Sequence, residues 1–366
     1  MSAWIEAFLW ILLATPLAVL SLYDFLICAA GVRRPTGAPP AQRQRNFAVL
    51  IPAHDEEAVI ARNVESLFAQ TYARTHFRVF VVADHCSDRT AAEARRAGAI
   101  VHERNGPAMA RGKAPALRFL LERVAKRNEH YDAVCVFDAD NLASPDFLSM
   151  MNRHLESGER CVQAYLDVKN PEDSWVTGSI AIAYWTTNRL WQAARHRLGL
   201  CCALGGTGFA LDWDLALRLA WRNNCLTDDL ELQMLLVLEG VRVSWAHETH
   251  TYDEKPLSLR ASWRQRLRWM RGHWDVARRL CLPLLALARA RGDAIALDAA
   301  LYLLQPLRIF LSGAALLAIC AMMAGGAHAP SYYWFVGALL LPLFAYLAHF
   351  CFFGLPGLGL WLEHVP

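Results

Sequence analysis

Charge is what this sequence has least of. Only 19% of its 366 residues are Asp, Glu, Lys or Arg, against about 25% in ordinary soluble domains, while 55% are apolar. Mean hydropathy is +0.19. Such a balance excludes a disordered or collagen-like chain. The net charge of +3 is too small, for a chain of this length, to suggest a nucleic-acid partner. No C-x-x-C occurs among the 10 cysteines, and Cys28, Cys135 and Cys351 sit in apolar runs, which argues for reduced thiols and against a disulfide framework. No Lys or Arg precedes Arg33, so the first apolar run lacks the basic start of a secretory signal.

The apolar excess has an address at each end. Phe8–Ala30 is long enough to be expected as a retained transmembrane helix, within a first segment of residues 1–32. Arg33, Arg34, Arg43 and Arg45 follow in a linker over 33–46, and the positive-inside rule then puts the globular part in the cytoplasm, at the inner face of the cell membrane. Residues 255–291 carry ten Lys or Arg against Asp275 alone, interleaved with Trp263, Trp269 and Trp274. This mixture suits amphipathic interfacial helices over 255–294. Two apolar blocks, Ile309–Met323 and Tyr332–Phe353, are separated by a Gly- and Pro-containing turn at 325–330 and predict a transmembrane hairpin over 295–355, with a tail over 356–366. The chain is thus expected to be multi-pass, with the lipid bilayer as a partner.

Between these ends, residues 47–254 alternate strand and helix patterns. Phe47–Ile51, Arg78–Ala83 and Ala133–Phe137 are β-rich runs, a third strand begins at Ile100–Val101, and helical spacing covers Glu57–Gln70, Arg89–Ala97 and Gly112–Arg127. Helices near Asp214–Arg222 and Leu230–Glu239 and strand Val241–Trp245 follow, with Val162-Gln163-Ala164 as a further strand that either helps line the ligand site or is an ordinary strand. The order predicts an α/β domain with a mainly parallel, Rossmann-like sheet and a ligand crevice at the carboxyl ends of its strands.

Acidic residues fall where that crevice would lie. Asp84 and Asp88 flank the turn after the second strand, and Asp138-Ala139-Asp140 follows the fourth. Paired carboxylates at such an edge suit Mg2+ or Mn2+, although either pair also reads as an ordinary turn. Lys113 after Gly112 opens a helix and offers a point charge for a diphosphate, without the full spacing of a P-loop. Gly205-Gly206-Thr207-Gly208 brings backbone close to a ligand or makes a tight turn. In Thr227-Asp228-Asp229 one carboxylate can cap the helix that follows while the other acts as a general base.

Taken in order, Pro52-Ala53-His54-Asp55-Glu56-Glu57, Asp84 and Asp88, Gly112-Lys113, Asp138-Ala139-Asp140, Gly205–Gly208, Thr227-Asp228-Asp229 and Gln265-Arg266-Leu267-Arg268-Trp269 resemble the membrane-embedded inverting glycosyltransferases of family 2. The resemblance includes polysaccharide synthases and ceramide glucosyltransferase-like enzymes and covers about residues 47–275. It implies a GT-A type fold and a metal-dependent hexosyltransferase using Mg2+ or Mn2+. Pro52, Ala53, His54, Glu56 and Asp84 would form the nucleotide edge. Lys113 would approach the phosphates, Asp138 would face the nucleotide, and Asp140 would be the principal metal-linked residue. Asp229 matches the general base, and Gln265, Arg268 and Trp269 match a Q-x-x-R-W motif beside acceptor and diphosphate. Gly205, Gly206, Thr207, Gly208 and Asp228 would lie on the acceptor side. The partners implied are a UDP-sugar and a membrane lipid, a lipid-linked acceptor or a growing glycan. With few crossings a lipid acceptor is favoured, while a processive polysaccharide synthase, its channel completed by a homo-oligomer or partner, stays open. A non-catalytic nucleotide-sugar-binding protein of the same fold is a third reading.

Overall fold

Strands form where β-branched and aromatic residues run together, because their stiff side chains fit a pleated, buried surface. The computed structural model describes residues 12, 15–31, 37–106, 109–219, 221 and 225–324. The first such run is β1 (Phe47–Ala53), and β2 (Phe77–Asp84), β3 (Ile100–Arg104) and β4 (Ala133–Val136) follow, joined by helices α2 (Ile60–Phe68), α3 (Thr90–Arg96) and α4 (Lys113–Ala125). Helix α1 (Thr15–Gly31) precedes them. Next come β5 (Leu142–Ala143), α5 (Phe147–Glu156), β6 (Cys161–Val168), α6 (Trp175–Thr187), a π-helical turn at Asn188–Gln192 and α7 (Ala193–Arg197). Strand β7 (Phe209–Asp212), α8 (Trp213–Leu219), α9 (Asp228–Leu238), β8 (Ser244–Asp253), α10 (Leu259–Arg291) and α11 (Ala294–Ala324) complete the described chain.

The strands make one sheet in the order β3-β2-β1-β4-β7-β6-β8-β5. Strands β3, β2, β1 and β4 are parallel, as are β6 and β8. Strand β7 opposes both its neighbours and β5 opposes β8, so the expected mainly parallel sheet carries two reversed strands. One core lies on the α4 side, around Leu50, Val136, Leu117 and Leu120, and a second lies beneath α2 and α5, around Ile51, Val64, Phe137 and Phe147. Each side chain of β1 except that of Pro52 belongs to one or the other, which is why that strand reads as a continuous apolar run.

The expected strand Val241–Trp245 begins later, at Ser244, and reaches Asp253. Its polar sequence hides it, yet Thr249 and Thr251 are buried. The segment expected to be interfacial is one long helix, α10, capped by the Ser258 hydroxyl, which accepts from Ala261 N at 3.3 Å, and ended by Gly292 at φ +63°.

Among the described residues no helix is long and apolar enough to cross a membrane. The expected crossings over Phe8–Ala30 and 295–355 therefore gain no support. Part of the first expected crossing, over residues 8–14, falls largely outside the described residues, and the described helix α1 packs inward through Leu17, Ile27 and Cys28. The mostly apolar α11 is interrupted by Asp298, Pro306 and Arg308, and Asp298 forms a buried ion pair with Arg195 of α7 while accepting from Tyr23 of α1. The block Tyr332–Phe353, the tail over 356–366, and Arg33 and Arg34 lie outside the described residues.

Candidate active site

A cleft of about 1140 Å3 opens where the carboxyl ends of β1, β2 and β4 meet the start of α9 and one flank of α10. Its first edge is the turn after β1. Pro52, Ala53, His54 and Glu56 line it, with His54 Nδ1 2.7 Å from the carbonyl oxygen of Asp84. Asp84 lines the cleft as well, but its carboxylate is buried against Arg104 Nη1 at 2.5 Å and His85 Nδ1 at 2.9 Å. Asp88 does not join it as a metal pair: its oxygens accept from Thr90 N at 2.9 Å and Glu57 N at 3.0 Å. Ligand atoms of Asp55, Cys86 and Asp88 do gather within 4.8 Å of one another, at the exposed turn.

The Asp138-Ala139-Asp140 turn follows β4 and is held from both sides. Asn63 of α2 donates to the carbonyl oxygens of Asp138 and Asn141, at 2.7 and 2.8 Å. On the other side Asp138 N donates to Thr207 Oγ1 at 3.0 Å, and Thr207 in turn donates to Asn141 Oδ1. Asn141 Nδ2 bridges Asp140 Oδ1 and Asp253 Oδ1, 3.1 Å from each. Burial, then the Asp253 and Asp138 charges, push Asp140 up to about 7. Hard carboxylate oxygens crowded so that one resists ionising are a donor set that fits Mg2+ or Mn2+. Asp140 and Asp138 are the residues to hold such an ion, with Asp253 beside them.

Lys113, at the start of α4, reaches Asp138 Oδ1 at 2.5 Å and donates to Gly206 O at 2.8 Å. Burial alone would lower its pKa, but Asp138, Asp228 and Asp229 raise it further and keep the ammonium charged. The glycine loop thus lies between Lys113 and Asp229: a Cβ at Gly206, whose φ is +78°, would come 3.2 Å from Asp229 Oδ2. Buried Gln163 of β6 shapes this loop, accepting from Gly205 N at 2.8 Å and donating to Thr207 O at 2.9 Å. Thr207 itself is buried and serves the acidic turn. Gly208 does not line the cleft; a Cβ there would meet Thr251 Oγ1 at 2.1 Å, so it permits close strand packing.

Asp228 and Asp229 open α9 half-buried, and desolvation raises the pKa of each. Asp229 Oδ1 accepts from Leu230 N at 2.8 Å, which fixes the group. Gln265, Arg268 and Trp269 of α10 line the same cleft. Trp263 is 68% exposed, as an interfacial residue would be, whereas Trp274 packs on the core and against Phe310 at 6.2 Å. All the sequence-predicted site residues except Gly208 and Asp88 line one cavity. Sequence reasoning missed Asn63, Asn141 and Asp253; Gln163, in a strand expected either to line the ligand site or to be ordinary, acts on the glycine loop from behind the cleft lining. No motif marks these residues, and only the sheet order brings them together.

Comparison with known proteins agrees with this geometry. The pattern described as "Glycosyltransferase like family 2" matches residues 44–272, well over half of the chain. A probable glycosyltransferase, YdaM, of Bacillus subtilis is 27% identical over 259 residues, 67% of this chain and 59% of that protein. A beta-monoglucosyldiacylglycerol synthase of Trichormus variabilis is 26% identical over 63% of this chain and 50% of its own. An N-acetylglucosaminyltransferase of Sinorhizobium fredii is 27% identical over 64% and 58%. The chain therefore spans between half and three fifths of the length of these relatives. Among solved structures, a mannosyltransferase from Pyrobaculum calidifontis in complex with GDP-Man and Mn2+ shares the fold, with TM-score 0.57 and 19% identity over 92% of this chain and 97% of that one. With its acidic turn, aspartate pair and Q-x-x-R-W helix around one cleft, the chain belongs to the glycosyltransferase like family 2.

Proposed function

We propose that the protein transfers a hexose or N-acetylhexosamine from a UDP-sugar to a lipid or lipid-linked acceptor, with inversion at the anomeric carbon. One observation carries the reading. A single cleft is lined by a cation-seeking acidic turn with Lys113, by Asp229 across the Gly206 loop from that lysine, and by Gln265, Arg268 and Trp269. A diphosphate held at the acidic turn and Lys113 leaves its sugar beside Asp229.

In this mechanism Asp229 accepts the proton of an acceptor hydroxyl as that oxygen attacks the anomeric carbon. The bond from that carbon to the diphosphate oxygen breaks, and UDP leaves with the electron pair. Lys113 and Arg268 stabilise the charge gathering on the departing diphosphate. Mg2+ or Mn2+, when bound by Asp140 and Asp138, would supply further neutralisation of the diphosphate. Burial makes Asp229 a stronger base than an exposed carboxylate while leaving it ionised near neutral pH.

Resemblance to a beta-monoglucosyldiacylglycerol synthase supports the lipid acceptor. So does the start of α10, where Leu257 just before it and Leu259 and Trp263 within it stand exposed beside the arginines of 260–271, a surface suited to the cytoplasmic face of an anionic membrane. The resemblance to an N-acetylglucosaminyltransferase supports an N-acetylhexosamine as the sugar transferred, and polysaccharide synthesis is the second reading.

The test is an Asp229→Asn protein incubated with labelled UDP-glucose or UDP-N-acetylglucosamine, Mn2+ and host membranes. Transfer should fall by about 10²–10⁴-fold while UDP affinity holds. Near-normal turnover would remove Asp229 as the base. Label in the chloroform-soluble fraction supports the lipid acceptor, and label in insoluble polymer favours the glycan.

A further inference from the structure

The cleft continues past the motif residues onto a wall that no sequence pattern marks. His273, one turn beyond Trp269 on α10, and Tyr302 of α11 both line it. His273 Nε2 lies 3.0 Å from the carbonyl oxygen of Leu303. A carbonyl oxygen only accepts, so Nε2 carries a proton and donates it. Burial lowers the imidazole's pKa and keeps the ring neutral. A neutral ring protonated on Nε2 has its lone pair on Nδ1.

The wall is braced from behind. The His273 and Tyr302 rings lie 6.0 Å apart, and the Arg195 guanidinium sits 5.8 Å from the Tyr302 ring centre. Arg195 is itself fixed by Asp298, one turn earlier on α11, and by the carbonyl oxygen of Cys201 at 2.7 Å. These contacts order the wall before a ligand arrives.

This wall therefore differs in chemistry from the acidic turn. The carboxylates there and Lys113 recognise a cation and a diphosphate. The wall offers an imidazole, a phenol and the indole of Trp269, which suit hydroxyl groups and apolar or sugar faces. None of these three side chains brings a fixed charge with which to hold a phosphate.

We propose that His273 and Tyr302, with Trp269, form the acceptor subsite and select an uncharged, hydroxyl-bearing acceptor, one hydroxyl of which donates to His273 Nδ1. The proposal rests on the transferase reading above and adds the residues that choose the acceptor.

Two substitutions at His273 separate this role from a structural one. In His273→Gln the amide takes over donation to Leu303 O and leaves no acceptor where Nδ1 stood. In His273→Asn an amide oxygen replaces Nδ1 and the bond to Leu303 is lost. Transfer is measured from labelled UDP-glucose and UDP-N-acetylglucosamine, with Mn2+, to dioleoylglycerol in detergent micelles and to cellobiose, alongside calorimetric titration with UDP.

His273→Gln should raise the acceptor KM about tenfold at unchanged UDP affinity, His273→Asn should stay within about threefold of wild type, and Tyr302→Phe should raise the acceptor KM by about threefold. An acceptor KM within twofold of wild type for His273→Gln, or a greater loss in His273→Asn, overturns the subsite while leaving the transferase standing. If the wild-type protein glycosylates neither acceptor from either donor, the transferase reading fails and the subsite falls with it.

Discussion

Lys113 and Asp229 work against each other's surroundings. Burial drives the Asp229 carboxyl toward its neutral form, and the lysine charge beside it pulls the other way. A general base must be ionised to act, so raising its pKa moves the acid limb of the pH–rate profile to higher pH. Lys113→Met removes the opposing charge and should move that limb higher still, while raising the UDP-sugar KM about tenfold or more. Rates measured from pH 5 to 8 check both effects; an unmoved limb would show that the lysine does not tune the base. Legibility in the sequence divides at this scale by chemistry. The carboxylates and Lys113 stood in motifs because their charges fix their neighbours along the chain. Gln163, Asn63 and His273 are neutral and joined to distant backbone, so nothing local announces them.

Between elements, the placement of α10 against α9 decides where Arg268 lies relative to Asp229. The two come close at Gly272, where a Cβ would meet Cγ2 and Oγ1 of Thr227, the residue that precedes α9, at 2.6 Å. Farther along, Arg279 of α10 pairs with buried Glu231 of α9 and also with Asp275, at 3.0 Å. Gly272→Ala should wedge the helices apart, costing about 1–3 kcal/mol of stability and a larger share of turnover than of donor affinity. Adding Thr227→Gly should restore much of the turnover. Turnover by Gly272→Ala within twofold of wild type would mean the contact does not govern the site.

The strands β1, β2 and β4 were legible because each is apolar on both faces. Strand β7 is only Phe-Ala-Leu-Asp, too short for a period, and β8 is rich in His and Thr. Helix α6 carries a nearly continuous apolar run that lacks the alternation of faces by which an amphipathic helix is recognised.

Across the whole molecule, His154 ties separate parts of the chain. Its Nδ1 faces Glu159 at 2.8 Å and its Nε2 faces Glu248 at 2.9 Å, while Glu248 also accepts from Ala38 N at 3.2 Å. Burial disfavours the imidazolium, but the two carboxylates prevail and raise it to about 9 from an ordinary value of 6.5. Glu248, despite its own burial, is lowered to about 2 by the same bond. Stability from the histidine is therefore fully present below pH 6.5 and lost as pH rises through 9, at up to about 1.4 kcal/mol per unit. That from Glu248 is present above its ordinary value of 4.5 and fades as pH falls toward 2. Urea midpoints of wild type and His154→Gln at pH 6 and pH 9 check this: the gap between them should narrow at the higher pH, and an equal gap would refute the linkage.

The reversed strand β7 has a consequence for how such a protein can change. Because β7 runs against β4, the glycine loop that enters it arrives beside the acidic turn that leaves β4, joining residues 69 positions apart through Asp138 and Thr207. The chain between them makes its excursion through α6 and α7 and returns to a fixed point. Insertions or exchanges in that excursion can remodel the surroundings of the cleft while both ends of the detour stay anchored to the sheet. Variation and constancy are thereby assigned to different stretches of one polypeptide.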